Sequence, residues 1–207
     1  MDPYVRPPIA RPAYADENGE LVDYGNRWAG REVPEDAYSR TSHLERFQPL
    51  HPTADALISW LLERYDASSF EYPSSAQDDR TVRITPADPS AAPLTFVFTD
   101  FPGVIIQAGT LFEAIFPRCG CDACDEDIDE VVDDLEWTVR ALVGGSFSEQ
   151  VDAPSPQWVS TSLAWDDRSM SGGTIRDDLT DEALAAARRR LPSPSGVWSA
   201  WPLRTPA

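Results

Sequence analysis

The chain has 207 residues, 42% of them hydrophobic, with seven Trp and eight Phe, and it carries a formal net charge of −18. That aromatic content excludes a disordered chain, and a domain of this size buries enough surface to fold without disulfide staples. The charge is uneven, at −3 over residues 1–50, −14 over 51–150 and −1 over 151–207. An anionic middle argues against nucleic acid, which is bound by neutralising phosphates with Lys or Arg. It argues equally against anionic lipid surfaces. It leaves metal cations and basic proteins as electrostatically suitable partners. All 17 basic side chains are Arg, so no lysine is available for a Schiff base or a phosphate-binding loop. No run of about 18 apolar residues suggests a membrane span, and the opening residues Asp2 to Pro8 lack the apolar core of a signal peptide. The expected setting is the cytoplasm, where thiols stay reduced.

Residues 1–12, with Pro3, Pro7, Pro8 and Pro12, predict an extended arm. Asn18-Gly19, between Tyr14 and the group Leu21, Val22 and Tyr24, predicts a short hairpin. The segment 25–52 reads as a loop pinned by Trp28, Tyr38, Phe47 and Leu50. A helix is expected over 53–66, with Thr53 as N-cap and Ala54, Leu57, Ile58, Leu61, Leu62 and Tyr65 as its apolar stripe. A polar loop follows from Ser68 to Arg80. Strands are expected at 81–85, 94–99 and 103–107, the last two joined by a turn at Asp100-Phe101-Pro102-Gly103. Leu111 to Phe116 reads as a turn or two of helix, ended by Pro117.

A second helix is expected over 126–143, capped by Asp125 and stopped by Gly144-Gly145. Its core face is Ile128, Val131, Val132, Leu135, Val139 and Leu142. Trp137 lies opposite that face and is expected to be covered by the N- or C-terminal arm, the alternative being exposure for a partner. Beyond an irregular stretch, Trp158 to Trp165 alternates as a strand, Ser171-Gly172-Gly173 reads as a turn, and a helix is expected over 181–190 from Thr180. Its final Arg188, Arg189 and Arg190 suit the negative helix end. The tail beyond Pro192 should dock through Trp198 and Trp201. The fold class is α+β: a small, mostly antiparallel sheet packed by two main helices plus a short C-terminal helix, with extended Pro-rich arms. The expected domain spans 13–191, between an arm at 1–12 and a tail at 192–207.

The chemistry concentrates in Cys119-Gly120-Cys121-Asp122-Ala123-Cys124, which holds all three cysteines and runs into Asp125, Glu126 and Asp127. Cys121-x-x-Cys124 is a common zinc half-site, and Cys119 offers a third sulfur. A fourth ligand must come from elsewhere. The candidates are His43 and His51, with Asp122, Asp125 or water as poorer choices. The carboxylates nearby should raise thiol pKa values, because only Arg118 opposes them locally. That disfavours a nucleophilic thiolate and favours a cation. Buried, inert thiols are the bland alternative. No Gly-x-Ser-x-Gly, Walker loop or dinucleotide fingerprint occurs.

Four stretches carry a resemblance: Tyr24-Gly25-Asn26-Arg27-Trp28-Ala29-Gly30, His43-Leu44-Glu45-Arg46-Phe47-Gln48-Pro49-Leu50-His51, Leu94-Thr95-Phe96-Val97-Phe98-Thr99 and Phe116-Pro117-Arg118-Cys119-Gly120-Cys121-Asp122-Ala123-Cys124-Asp125-Glu126. Together they resemble an uncharacterised actinobacterial family, a domain of unknown function, over about residues 4–165. The resemblance implies a bacterial, intracellular setting and supplies no activity. The leading expectation is therefore a non-catalytic protein with a structural zinc site at Cys119, Cys121 and Cys124, completed by His43 or His51. One alternative is an acidic, immunity-like binding module for a basic protein such as a toxin. The other is a thiol-disulfide oxidoreductase using Cys121 and Cys124.

Overall fold

Two long amphipathic helices and a five-stranded sheet form the centre of the protein. A computed structural model describes residues 4–72, 80–152, 155–193 and 195–205. In chain order the elements are β1 (Tyr14–Ala15), β2 (Leu21–Val22), α1 (Leu50–Arg64), β3 (Ala67–Tyr72), β4 (Arg80–Pro86), β5 (Leu94–Phe98), β6 (Val104–Ala108), β7 (Phe112–Phe116), α2 (Ile128–Val143), β8 (Ser148–Val151), β9 (Trp158–Trp165), β10 (Arg168–Ile175) and α3 (Asp181–Arg190). Among the described residues the named strands all pair antiparallel, in three sheets ordered β1-β2, β3-β4-β5-β6-β7 and β10-β9-β8. This is an α+β fold.

Alternation decides the sheet faces. Val82 and Ile84, then Leu94, Phe96 and Phe98, then Val104, Ile106 and Ala108 are buried, while their neighbours face outward. Helix α1 lays Ala54, Leu57, Ile58 and Leu61 against this face, and α2 adds Val131, Val132, Leu135, Val139 and Leu142 to the same core. Helix α2 also packs on β9, where Val159 and Leu163 are buried.

Several sequence expectations change at this level. Helix α1 begins at Leu50, so Thr53 lies within its first turn and donates its hydroxyl to the Pro49 carbonyl at 2.8 Å instead of capping. Pro52 tolerates that early start because a first-turn residue has no intrahelical N–H bond to lose. The expected loop at 68–80 contains β3, and residues 73–79 lie outside the described ones. Leu111 to Phe116 is not helical: Phe112 to Phe116 is strand β7, paired in register with β6 from Ala108↔Phe112 to Val104↔Phe116. The apolar pair Phe112 and Phe116, four residues apart, fits one face of either structure. An available sheet edge decides it.

Ser171-Gly172-Gly173 lies inside β10. The turn falls two residues ahead of that strand instead, at Asp166, whose φ is +55°. A Cβ at position 173 would sit 2.7 Å from Trp158 Nε1, so glycine lets the indole lie across the strand. Strand β8 occupies part of the stretch expected to be irregular. Trp137 is covered, but by the β9–β10 hairpin: its Nε1–H donates to the Trp165 carbonyl at 3.2 Å and the Arg168 guanidinium lies 4.3 Å from its ring centroid. The α2 cap is Asp127, accepting from the Asp129 and Glu130 amides, whereas Asp125 sits at φ +51° outside the helix.

Both arms are tied down. Tyr4 and Arg6 donate to the buried Glu136 carboxylate at 2.7 and 2.6–2.8 Å. The tail threads between the sheets. The Trp198 amide donates to the Phe147 carbonyl and the Trp201 amide to the Val143 carbonyl, and both indoles are buried.

Candidate metal centre

The cysteine loop leaves β7 at Phe116 and turns back toward the start of α2. One carboxylate controls that turn. Glu126 accepts the backbone N–H groups of Arg118, Cys119 and Gly120 at 2.9, 3.0 and 2.8 Å. Gly120 adopts φ +79°, and a Cβ there would lie 2.5 Å from Phe101 Cζ, so both conformation and space demand glycine.

A second carboxylate fastens the loop to the segment before α1. Asp122 is fully buried and accepts from the Ser42 amide and hydroxyl, each at 2.8 Å, and from Arg40 Nε at 2.9 Å, with Arg27 Nη1 at 3.2 Å. Burial alone would raise this carboxyl; the Ser42 donors, Arg40 and Arg27 overcome it and hold the pKa below the usual range. The Asp122 and Ala123 amides in turn donate to the Arg40 and Ala37 carbonyls, and Trp28 Nε1 donates to the Asp122 carbonyl. Arg46, nearly buried between the Tyr24 and Phe47 rings, reaches the Gly120 carbonyl at 3.0 Å. Asp125 accepts from the Arg27 amide at 2.7 Å, and burial pushes its pKa upward.

The acidic run is therefore structural scaffolding. Neither Asp122 nor Asp125 joins the sulfur group among the described residues. The expectation that only Arg118 opposes these carboxylates is corrected: Arg27, Arg40 and Arg46 arrive from far earlier in the chain, Arg40 lying 82 residues before Asp122.

On this frame the Sγ atoms of Cys119, Cys121 and Cys124 all lie within 4.8 Å of one another, and none forms a disulfide. Cys121 is buried, while Cys119 and Cys124 face solvent. Burial opposes ionisation of Cys121. Hydrogen bonds from the Cys119 thiol and from the Cys124 and Ala123 backbone outweigh it and bring that thiol below its ordinary pKa. Cys124 is pushed up to about 12, first by its hydrogen bonds with Cys119 and Cys121 and then by burial.

A tetrahedral zinc with Zn–S bonds of about 2.3 Å needs sulfurs about 3.8 Å apart. Three sulfurs within 4.8 Å of one another lie close to that spacing. The donor set, three sulfurs with backbone N–H groups aimed at one of them, fits zinc in both composition and outer hydrogen bonding.

The histidines lie elsewhere. His43 Nδ1 is 2.8 Å from the Tyr24 hydroxyl, and its ring packs on Tyr14 with centroids 4.8 Å apart. His51 Nε2 donates to the Gly103 carbonyl at 3.0 Å, edge-on to Phe98. Among the described residues the sulfur group includes neither imidazole. The groups that sequence reasoning missed are Arg27, Arg40, Ser42, Arg46 and Glu126. They position the loop without being ligands, and nothing in their local sequence marks that role.

The chain belongs to a family of unknown function (DUF6226), whose description matches residues 10–205. The match extends through β10, α3 and the tryptophan tail, beyond the part where the sequence resemblance was placed. No curated protein and no solved structure matches the chain. No helix among the described residues is long and apolar enough to cross a membrane.

Proposed function

We propose that this protein is a non-catalytic binding or scaffold domain whose Cys119, Cys121 and Cys124 hold a structural zinc ion. The observation that carries the reading is the approach of three unpaired sulfurs to within 4.8 Å on a loop already fixed by Glu126 and Asp122. When bound, the metal supplies a cross-link and no reaction step. It would close the 119–124 turn on itself between β7 and α2, and so hold Asp122 against the 27–42 segment. The fourth position is left to water or an external donor, since the two exposed cysteines face solvent. The binding free energy of such a site adds directly to folding stability.

The test is elemental analysis of protein purified without added metal. About one zinc per chain supports the reading, and loss of that zinc in a Cys121→Ser variant assigns it to the triad. Protein free of zinc, iron and copper sinks it.

A second reading is favoured by one observation, the lowered pKa of Cys121 beside the raised Cys124. In it the Cys121–Cys124 dithiol would reduce a partner protein's disulfide, becoming a disulfide as the partner gains two thiols, and the reverse exchange would restore it. Alkylation kinetics separate the two readings, because a metal-bound sulfur is slow to alkylate until chelator is added, whereas a redox thiolate reacts fast at once. The acidic-partner reading rests on the net charge of −18 alone.

A further inference from the structure

Acids outnumber arginines by 35 to 17 in this chain, yet a cleft of about 660 Å³ is lined by Arg83, Arg176 and Arg190, with Glu113 as its one carboxylate among the described residues. A cleft of about 470 Å³ beside the β1–β2 hairpin shows the usual balance, with Asp16, Glu17, Glu20 and Asp23 against three arginines. The larger cleft lies within the volume range of small-ligand sites, roughly 300–1,000 Å³.

Its floor is one row of the outward face of the five-stranded sheet. Arg83 pairs with Thr95, Thr95 with Gln107 and Gln107 with Glu113, so their side chains stand side by side across four strands. Arg176 comes from the residue after β10 and Arg190 from the last turn of α3. Three cations from sequence-distant elements thus converge on one hollow.

Two polar groups there are already fixed. Arg176 forms a two-pronged ion pair with Asp178 at 2.7 and 2.8 Å, and Gln107 donates to Glu113 at 3.0 Å. The Arg83 and Arg190 guanidinium groups have no hydrogen bond or ion pair among the described residues. In a chain with twice as many acids as bases, two unspent forks at one cleft are a specific provision for an oxyanion. A carboxylate has two oxygens and is satisfied by a single fork. A phosphate offers three and can engage both.

We propose that this cleft binds a small phosphorylated molecule, its phosphate held by Arg83 and Arg190, with Thr95 and the Gln107–Glu113 pair facing its polar substituents. The site is independent of the cysteine loop and of any metal there. It is compatible with the expectation that so anionic a chain does not bind nucleic acid, because only a local charge is recognised.

The test is an NMR titration of the full chain at low ionic strength with inorganic phosphate, and in parallel with succinate. The expected result is saturable phosphate shifts confined to β4, β5, residue 176 and the end of α3. Arg83→Gln, an exposed position, should weaken binding at least tenfold, as losing a charge-assisted hydrogen bond implies. Arg189→Gln, on the same helix turn as Arg190 but outside the lining, should leave binding within twofold. The proposal is overturned by an absent or unsaturable phosphate response, by unchanged affinity in Arg83→Gln, by an equal loss in Arg189→Gln, or by succinate binding more tightly than phosphate.

Discussion

The Asp122 carboxylate and the Arg40 guanidinium meet at 2.9 Å across 82 residues of sequence, one of them fully buried and the other at the surface. That contact, with Ser42 and Arg27 completing it, is what turns a flexible-looking cysteine loop into a fixed one. Asp122→Asn should therefore do more than remove a charge. It leaves Arg27 and Arg40 facing a neutral amide and places an NH₂ against the Ser42 donors. We expect a loss of about 3 kcal/mol, the scale of a broken buried ion pair, measured by urea unfolding.

The same carboxylate sets an acid dependence. Its folded pKa is lowered, so its stabilising contribution is full above the unfolded value of about 3.9 and is lost as pH falls through the lower folded value. In chelator, with metal removed from both proteins, parent and Asp122→Asn should differ in stability at pH 6 and converge toward pH 2. A difference that stays constant over this range would assign the effect to packing alone.

Glu149 forms the corresponding lock at the other end of the molecule. It is fully buried and accepts the amides of Thr110, Leu111 and Phe112 at 2.8–3.0 Å, and Trp198 Nε1 at 2.9 Å. Trp198→Phe keeps much of the apolar volume but removes one donor from a buried carboxylate, which should cost about 1–3 kcal/mol. Trp198→Ala adds a cavity and should cost about 3–5 kcal/mol. Thermal unfolding of the two variants orders them, and equal melting temperatures would show that the tail is not part of the cooperative unit.

Gly120→Ala should disturb the sulfur triad without touching a sulfur. It imposes a left-handed conformation on a residue with a Cβ, costing about 1–2 kcal/mol, and forces the Phe101 ring to move. Zinc content after mild chelation should fall faster than in the parent. Gly19→Ala, also at positive φ but with nothing within 4 Å of the added Cβ, controls for backbone strain alone and should retain its metal.

The parts of this fold that sequence made legible are those set by local periodicity. The stripes of α1 and α2, the Thr180 cap of α3 and the alternation of β4, β5 and β9 all follow from spacing. What was hidden depends on partners far away in the chain. Phe112 and Phe116 fit a helix or a strand equally, and only the edge of β6 selects the strand. Strand β3 is mostly exposed, with Phe70 and Tyr72 on solvent, so it shows no core pattern. At the candidate site the cysteine spacing was readable because the three thiols fall within six residues. The roles of Asp122 and Glu126 were not, since a carboxylate facing a cation and one folded inward onto backbone amides look identical in a sequence. The histidines were natural candidates only because few imidazoles exist. Their rings are taken up by Tyr24, Tyr14, Gly103 and Phe98.

X-ray absorption at the zinc edge, on protein purified without added metal, tests the three-sulfur centre most directly. The account predicts about three sulfur neighbours near 2.3 Å and one lighter donor, with the sulfur signal reduced in Cys121→Ser. A sample without zinc, or one whose zinc has only nitrogen and oxygen neighbours, would contradict it.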